Sequence, residues 1–149
     1  MLSVKIKTVE GKDFDVWLPL WNGYQRFYGV TIPESVTTET WVRLLDPGQP
    51  MHAALAIVGD HAAGLVHAVY HRSTWTTDDD CYLQDLFVAP DARGRGIGRA
   101  LIQHVCADAK GRGASRVHWL THETNHAAMR LYNGVADRSG FVQYRKIMV

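Results

Sequence analysis

Residues 82–102 place three patterns in an order that few folds accommodate. Tyr82–Val88 is a strand-like apolar run and Ala89-Pro90-Asp91-Ala92 is a turn. Arg93-Gly94-Arg95-Gly96-Ile97-Gly98-Arg99 follows, interleaving glycine with three arginines. From Ile97 onward Leu101, Ile102, Val105, Cys106 and Ala109 recur at helical spacing, which predicts an amphipathic helix. A strand that enters a helix through such a loop aims several backbone N–H groups and the positive end of a helix dipole at one point. Glycine lets the backbone come close to a ligand and adopt positive φ, and arginine adds charge where phosphate oxygens would sit. A phosphorylated ligand is expected at this junction.

The surrounding chain reads as a mixed α/β domain over residues 1–149. Residues 3–9 alternate like a half-buried strand, and residues 13–28 space Trp17, Trp21, Tyr24 and Tyr28 along a helix in which Pro19 belongs near the first turn or marks a kink. A second helix is expected after Pro33-Glu34, ending at Asp46-Pro47-Gly48. Strands are expected at Ala53–Val58, Leu65–His71 and Tyr82–Val88, with a solvated loop over Arg72–Asp80. Beyond the glycine loop come its helix, a strand at Arg116–Thr121, a helix at Asn125–Ala136 and a last strand at Phe141–Met148.

Bulk properties exclude several classes. The net charge of +1 spreads no basic field for nucleic acid or an anionic membrane. Two cysteines give no secreted disulfide framework, and Cys106, mid-helix, reads as a free buried thiol. No apolar run approaches the ~20 residues that span a bilayer, and Met1–Lys7 lacks the apolar core of a signal peptide. A cytoplasmic location is expected.

Two common phosphate motifs fail on their residues. A dinucleotide fold sets G-x-G-x-x-G after its first strand, whereas here G-x-G-x-G arrives late. A P-loop needs Gly-Lys followed by Ser or Thr, and this chain has Gly98-Arg99-Ala100. His118, His122 and His126 are four residues apart, but a strand, a turn and a helix divide that run, so no metal site is expected.

The loop resembles the acetyl-CoA signature of the GNAT superfamily of N-acetyltransferases, Q/R-x-x-R-G-x-G/A. Tyr82–Pro90 is similar to that family's fourth strand, and Asn125-His126-Ala127-Ala128-Met129-Arg130-Leu131-Tyr132 resembles its second hallmark. The likeness covers roughly residues 82–145 and is strongest to the branch acting on polyamines, amino acids or basic protein tails. It implies a central mixed sheet of roughly six to seven strands flanked by about four helices. Acetyl-CoA is the implied cofactor. Backbone N–H groups of Arg95, Gly96, Ile97, Gly98 and Arg99, with Arg93 and Gly94 beside them, would hold its pyrophosphate. Leu86, Phe87 and Val88 would pair with the pantetheine arm where two parallel strands splay, and Asn125 and Tyr132 would line it.

An amine acceptor must lose a proton before it attacks, since a lysine-like amine has a pKa near ~10.4. Asp85 is placed to take that proton, directly or through water, or else to hydrogen-bond its own strand; some relatives carry Glu-Asp where this chain has Gln84-Asp85. The N–H of Phe87 or Val88 is a candidate donor to the thioester oxygen, and Tyr132 a candidate acid for the departing thiolate. Trp21, Tyr24 and Tyr28 are candidates to wall the acceptor, because aromatic faces attract cationic amines. The expected partners are a small amine or a basic peptide tail and a second copy of the chain, paired through Phe141–Met148, with no nucleic acid or membrane. The competing class is a non-catalytic acyl-CoA-binding module.

Overall fold

A computed structural model describes residues 3–149; Met1 and Leu2, which open the alternating N-terminal run, lie outside the described residues. The elements follow the order β1 (Val4–Thr8), α1 (Phe14–Tyr28), α2 (Glu34–Leu45), β2 (Met51–Val58), β3 (His61–Arg72), β4 (Asp79–Val88), α3 (Ile97–Gly111), β5 (Val117–His118) and α4 (His126–Asn133), with short 3-10 turns before α1 and α3. Pro19 lies in the second turn of α1, which continues through it.

The sheet runs β1-β2-β3-β4-β5 in space. The first four strands are antiparallel to their neighbours and β5 is parallel to β4. Two layers cover it. Helix α3 packs Ile97, Leu101, Ile102, Val105 and Ala109 against Val66, Ala68, Cys81 and Leu83 on one face. On the other face Trp17, Leu20, Trp21 and Trp41 of α1 and α2 pack against Leu55, Leu65 and Phe87.

One irregularity decides which layer the middle of β4 serves. His67 pairs with Asp85 and Ala68 with Leu83, leaving Gln84 without a partner as a β-bulge. Side chains alternate along a strand, so an unbroken β4 would send Asp85 to the α3 face with Cys81 and Leu83. The extra residue turns Asp85 and Phe87 to the α1 face instead. Gly23 completes the approach, since a Cβ there would lie 2.8 Å from the Phe87 ring.

Five expectations need correction. The described residues form five strands, not six or seven, and Phe141–Met148 forms none: Phe141, Tyr144 and Met148 stand in solvent, Tyr144 at 92% exposure. The alternation is there, but a strand exists only against a neighbour's ladder, and this segment has none. The strand foreseen over Arg116–Thr121 pairs at Val117 and His118 alone. Asp80, placed in a solvated loop by its aspartate neighbours, is 2% exposed. Ser115 Oγ at 2.9 Å and Arg116 Nε at 2.9 Å donate to its carboxylate. Cys106 is exposed, one position off the buried face of α3.

Candidate active site

The strand β4 pairs with β5 only at Cys81 and Tyr82, so the two diverge beyond that point. Ala89 N–H donates to Ala63 O on β3. By alternation, the N–H groups of Val88 and Leu86 turn to the open side and that of Phe87 turns to β3. Of the two strand donors foreseen, Val88 is the one that faces the gap.

A groove of about 560 Å³ fills that gap. The residues lining it include Leu86, Phe87, Val88, Arg93, Gly94, Gly96, Ile97, Gly98, Arg99, Asn125 and Tyr132; Arg95 lies outside its lining. The loop is shaped by backbone more than by side chains. Gly94 and Gly96 both sit at φ +78°, a region that costs an L-residue roughly 1–2 kcal/mol. Gly96 caps α3 without a side-chain hydrogen bond, so the first-turn N–H groups of that helix remain free for an anion. At Gly98 a Cβ would meet Leu131 Cδ2 at 3.2 Å, which is where α3, α4 and β4 converge. Arg93 is committed elsewhere: its Nε donates to Val88 O at 3.1 Å, and its guanidinium lies over the rings of Phe27 and Phe87. These free donors and this Cβ-free cradle fit the pyrophosphate and extended arm of CoA.

Asn125 has a local task as well, accepting the Ala128 N–H at 3.3 Å as the N-cap of α4. That cap orients α4 so that Tyr132 meets Trp119 edge to face at 5.5 Å. Burial first, and then Tyr28, raises the Tyr132 phenol above its ordinary value.

On the α1 face Asp85 stands among Tyr24, Tyr28 and Tyr82. Burial is the main cause that raises each of these phenols, and the Asp85 carboxylate adds to it in all three. Behind the carboxylate is a contact that sequence reading missed. His67 Nδ1 lies 2.9 Å from Asp85 Oδ2, and Trp17 Nε1 donates to His67 Nε2 at 3.0 Å. The only sequence signal was a histidine inside the apolar run Leu65–Val69, visible as a partner of Asp85 only once the register across the bulge is known. Of the three aromatic candidates only Tyr28 lines the groove; Trp21 and Tyr24 do not. Trp21 is buried in the core, stacked on Trp17 and Tyr24 and 5.2 Å from the His67 ring, with its indole N–H donated to Thr37.

His118, His122 and His126 are not brought together as a ligand set. Among the described residues His71, Asp80 and His118 do converge, but the Asp80 carboxylate already holds the Arg116 guanidinium, a resident cation.

Comparison with known proteins agrees with this geometry. Residues 17–135 match the model of the Acetyltransferase (GNAT) family. The chain is 36% identical over 146 residues to the D-amino-acid N-acetyltransferase of Saccharomyces cerevisiae, covering 96% of this chain and 90% of that one. It is 33% identical over 92 residues to the thialysine N-epsilon-acetyltransferase of Sus scrofa, covering 62% of this chain and about half, 49%, of that enzyme. The crystal structure of a probable acetyltransferase superposes with a TM-score of 0.86 at 22% identity, covering 97% of this chain and 98% of the other. An aminoglycoside N-acetyltransferase in complex with CoA superposes at 0.85 with 15% identity, covering 100% and 97%. A strand forked beside an uncapped glycine loop, and a family match across most of the chain, lead to one conclusion: this protein is a GNAT-family N-acetyltransferase.

Proposed function

We propose that the chain, acting as one domain, transfers the acetyl group of acetyl-CoA to the primary amine of a small amino-acid-like or polyamine molecule, by direct attack in a ternary complex. The observation that carries this reading is the adjacency of a buried carboxylate, Asp85, to the groove that begins at Leu86. Bound acetyl-CoA supplies an acetyl group activated as a thioester. Loop N–H groups from Gly96 to Arg99 receive its pyrophosphate, and the outward Leu86 and Val88 N–H groups align its arm. The Val88 N–H is the donor to the acetyl oxygen as negative charge develops there.

Asp85 takes the proton of the acceptor ammonium, directly or through water, and Tyr24 and Tyr28 wall the acceptor. Tyr132 donates a proton to the departing thiolate. No metal takes part, because a carboxylate and a phenol cover both proton transfers. Small amines are favoured over basic protein tails because the relatives named above carry amino-acid acetyltransferase names.

The chain works in the cytoplasm as a homodimer joined through its exposed C-terminal segment, without nucleic-acid or membrane partners. Its net charge of +1, two free cysteines and the lack, among the described residues, of any helix long and apolar enough to cross a membrane support this setting.

The test is thiol release from acetyl-CoA over a panel of D- and L-amino acids, lysine analogues and polyamines. Turnover with at least one amine, lowered about a hundredfold or more by Asp85→Asn, is expected. Tight cofactor binding with no turnover on any amine would point instead to a binding module.

A further inference from the structure

We propose that His67 is a positioning residue for acetyl transfer: its Nδ1–H holds one oxygen of Asp85 in place and leaves the other facing the acceptor amine. The proposal rests on the reading of Asp85 as the base, and it concerns what makes that carboxylate competent.

The proton arrangement follows from Trp17. An indole nitrogen donates and never accepts. Its approach to 3.0 Å therefore makes His67 Nε2 an acceptor, and the ring proton sits on Nδ1. Nδ1 is 2.9 Å from Asp85 Oδ2, so the imidazole donates to the carboxylate. A tryptophan fifty positions away in sequence thus sets the tautomer of the histidine.

Nothing in the surroundings lets the ring turn. His67 and Trp17 are both buried, and the imidazole lies against the rings of Trp17 and Trp21 at 6.0 and 5.2 Å. The bulge at Gln84 fixes the opposing position of Asp85.

The same arrangement rules out a relay through His67. Nδ1 already carries a proton and offers Asp85 no lone pair, while Nε2 faces an indole N–H that has no lone pair to receive a proton. The proton therefore leaves Asp85 on the side of Tyr24, Tyr28 and Tyr82. The order differs from a nucleophile–histidine–carboxylate triad, because here the carboxylate faces substrate and the histidine stands behind it. His67 contributes geometry and no proton transfer.

The experiment compares His67→Asn, His67→Gln and His67→Leu with wild type, measuring kcat, KM for the amine, acetyl-CoA affinity by calorimetry and Tm. An asparagine amide reaches the depth of Nδ1 and restores the donor to Asp85, whereas glutamine reaches the depth of Nε2 and does not. We expect kcat to fall about thirtyfold in the Leu and Gln variants, with acetyl-CoA affinity unchanged, and to return to within about threefold of wild type in the Asn variant. Wild-type kcat in the Gln variant, or equal loss in folded Asn and Gln variants, overturns the proposal. If His67→Leu does not fold, the Asn–Gln contrast decides. Asp85→Asn run alongside separates the two readings: full turnover there removes Asp85 as the base, whereas loss there with a normal His67→Gln removes only the role of His67.

Discussion

Tyr82 stacks on His118 with ring centroids 5.0 Å apart and 7° between their planes, at the last pair that β4 and β5 share. The stack is a rivet at the crotch of the fork. Below it the sheet is continuous; above it Leu86 and Val88 present unpaired N–H groups to a groove closed on its far side by α4. In the proposed reading, the cofactor arm takes the place of the ladder that β5 gives up.

Tyr132 lines the same groove and is the proposed acid. Burial and Tyr28 raise its phenol, so the proton-bearing form, the one that donates, persists through neutral pH and beyond the ordinary phenol value near ~10. Tyr132→Phe should lower kcat about ten- to a hundredfold in a thiol-release assay and leave acetyl-CoA affinity unchanged. A wild-type pH–rate profile should show no loss from Tyr132 ionisation at pH 8–9. Unchanged turnover in the Phe variant would remove it as the acid.

The glycine loop should be sensitive to single methyl groups. Gly96→Ala meets the strain of φ +78° at the N-cap of α3, and we expect roughly 1–2 kcal/mol less stability with a higher KM for acetyl-CoA. Gly98→Ala places a methyl 3.2 Å from Leu131 Cδ2 and should weaken CoA binding with less loss of stability. Thermal unfolding and calorimetric titration with CoA distinguish the two.

His52 makes the fold sensitive to mild acid. It is buried between β2 and α3, its Nε2 2.9 Å from His104 Nε2. Burial chiefly lowers its pKa; Asp108 opposes this, while His104 and Arg112 add to it. The unfolded chain therefore binds a proton near pH ~6.5 that the folded chain resists, and stability falls as pH drops below that value. Wild-type Tm should fall between pH 7.5 and 5.5, and His52→Gln should flatten that fall. An equal drop in both would assign it to other groups.

Residues 141–149 should govern association. Phe141, Val142, Tyr144, Ile147 and Met148 are all exposed, an apolar set without cover in one chain. Light scattering should report a dimer for the 149-residue chain and a folded monomer when these residues are removed. A dimer that survives truncation would place the interface elsewhere.

Much of this was legible in the residues, and the exceptions share a cause. Helix α1 and the start of α3 were readable because periodicity is a local property, and the turn into α3 because its glycines meet the positive φ found at Gly94 and Gly96. Asp80, the shortened β5 and the solvent-exposed Phe141–Met148 were misread because each depends on a neighbour remote in sequence. Asp80 needs Arg116, a strand needs a ladder, and the contacts of His67 need both Trp17 and a bulge. Periodicity cannot announce the residue that breaks it.

Gln84 is that residue, and it gives β4 an unusual kind of tolerance. Its side chain is exposed and nothing in the site depends on what it is, so substitutions there should be silent. What matters is that the ladder steps over it: Ala68 pairs with Leu83 and His67 with Asp85, neighbours on β3 whose partners on β4 stand two apart. Drawn into the regular ladder, Gln84 would turn inward and Asp85 and Phe87 would exchange faces with Leu86 and Val88; taken out of the chain, it would leave Leu83 and Asp85 adjacent and already on opposite faces. The facing of Asp85 thus survives both a change of this residue and its loss, and depends only on where the ladder slips.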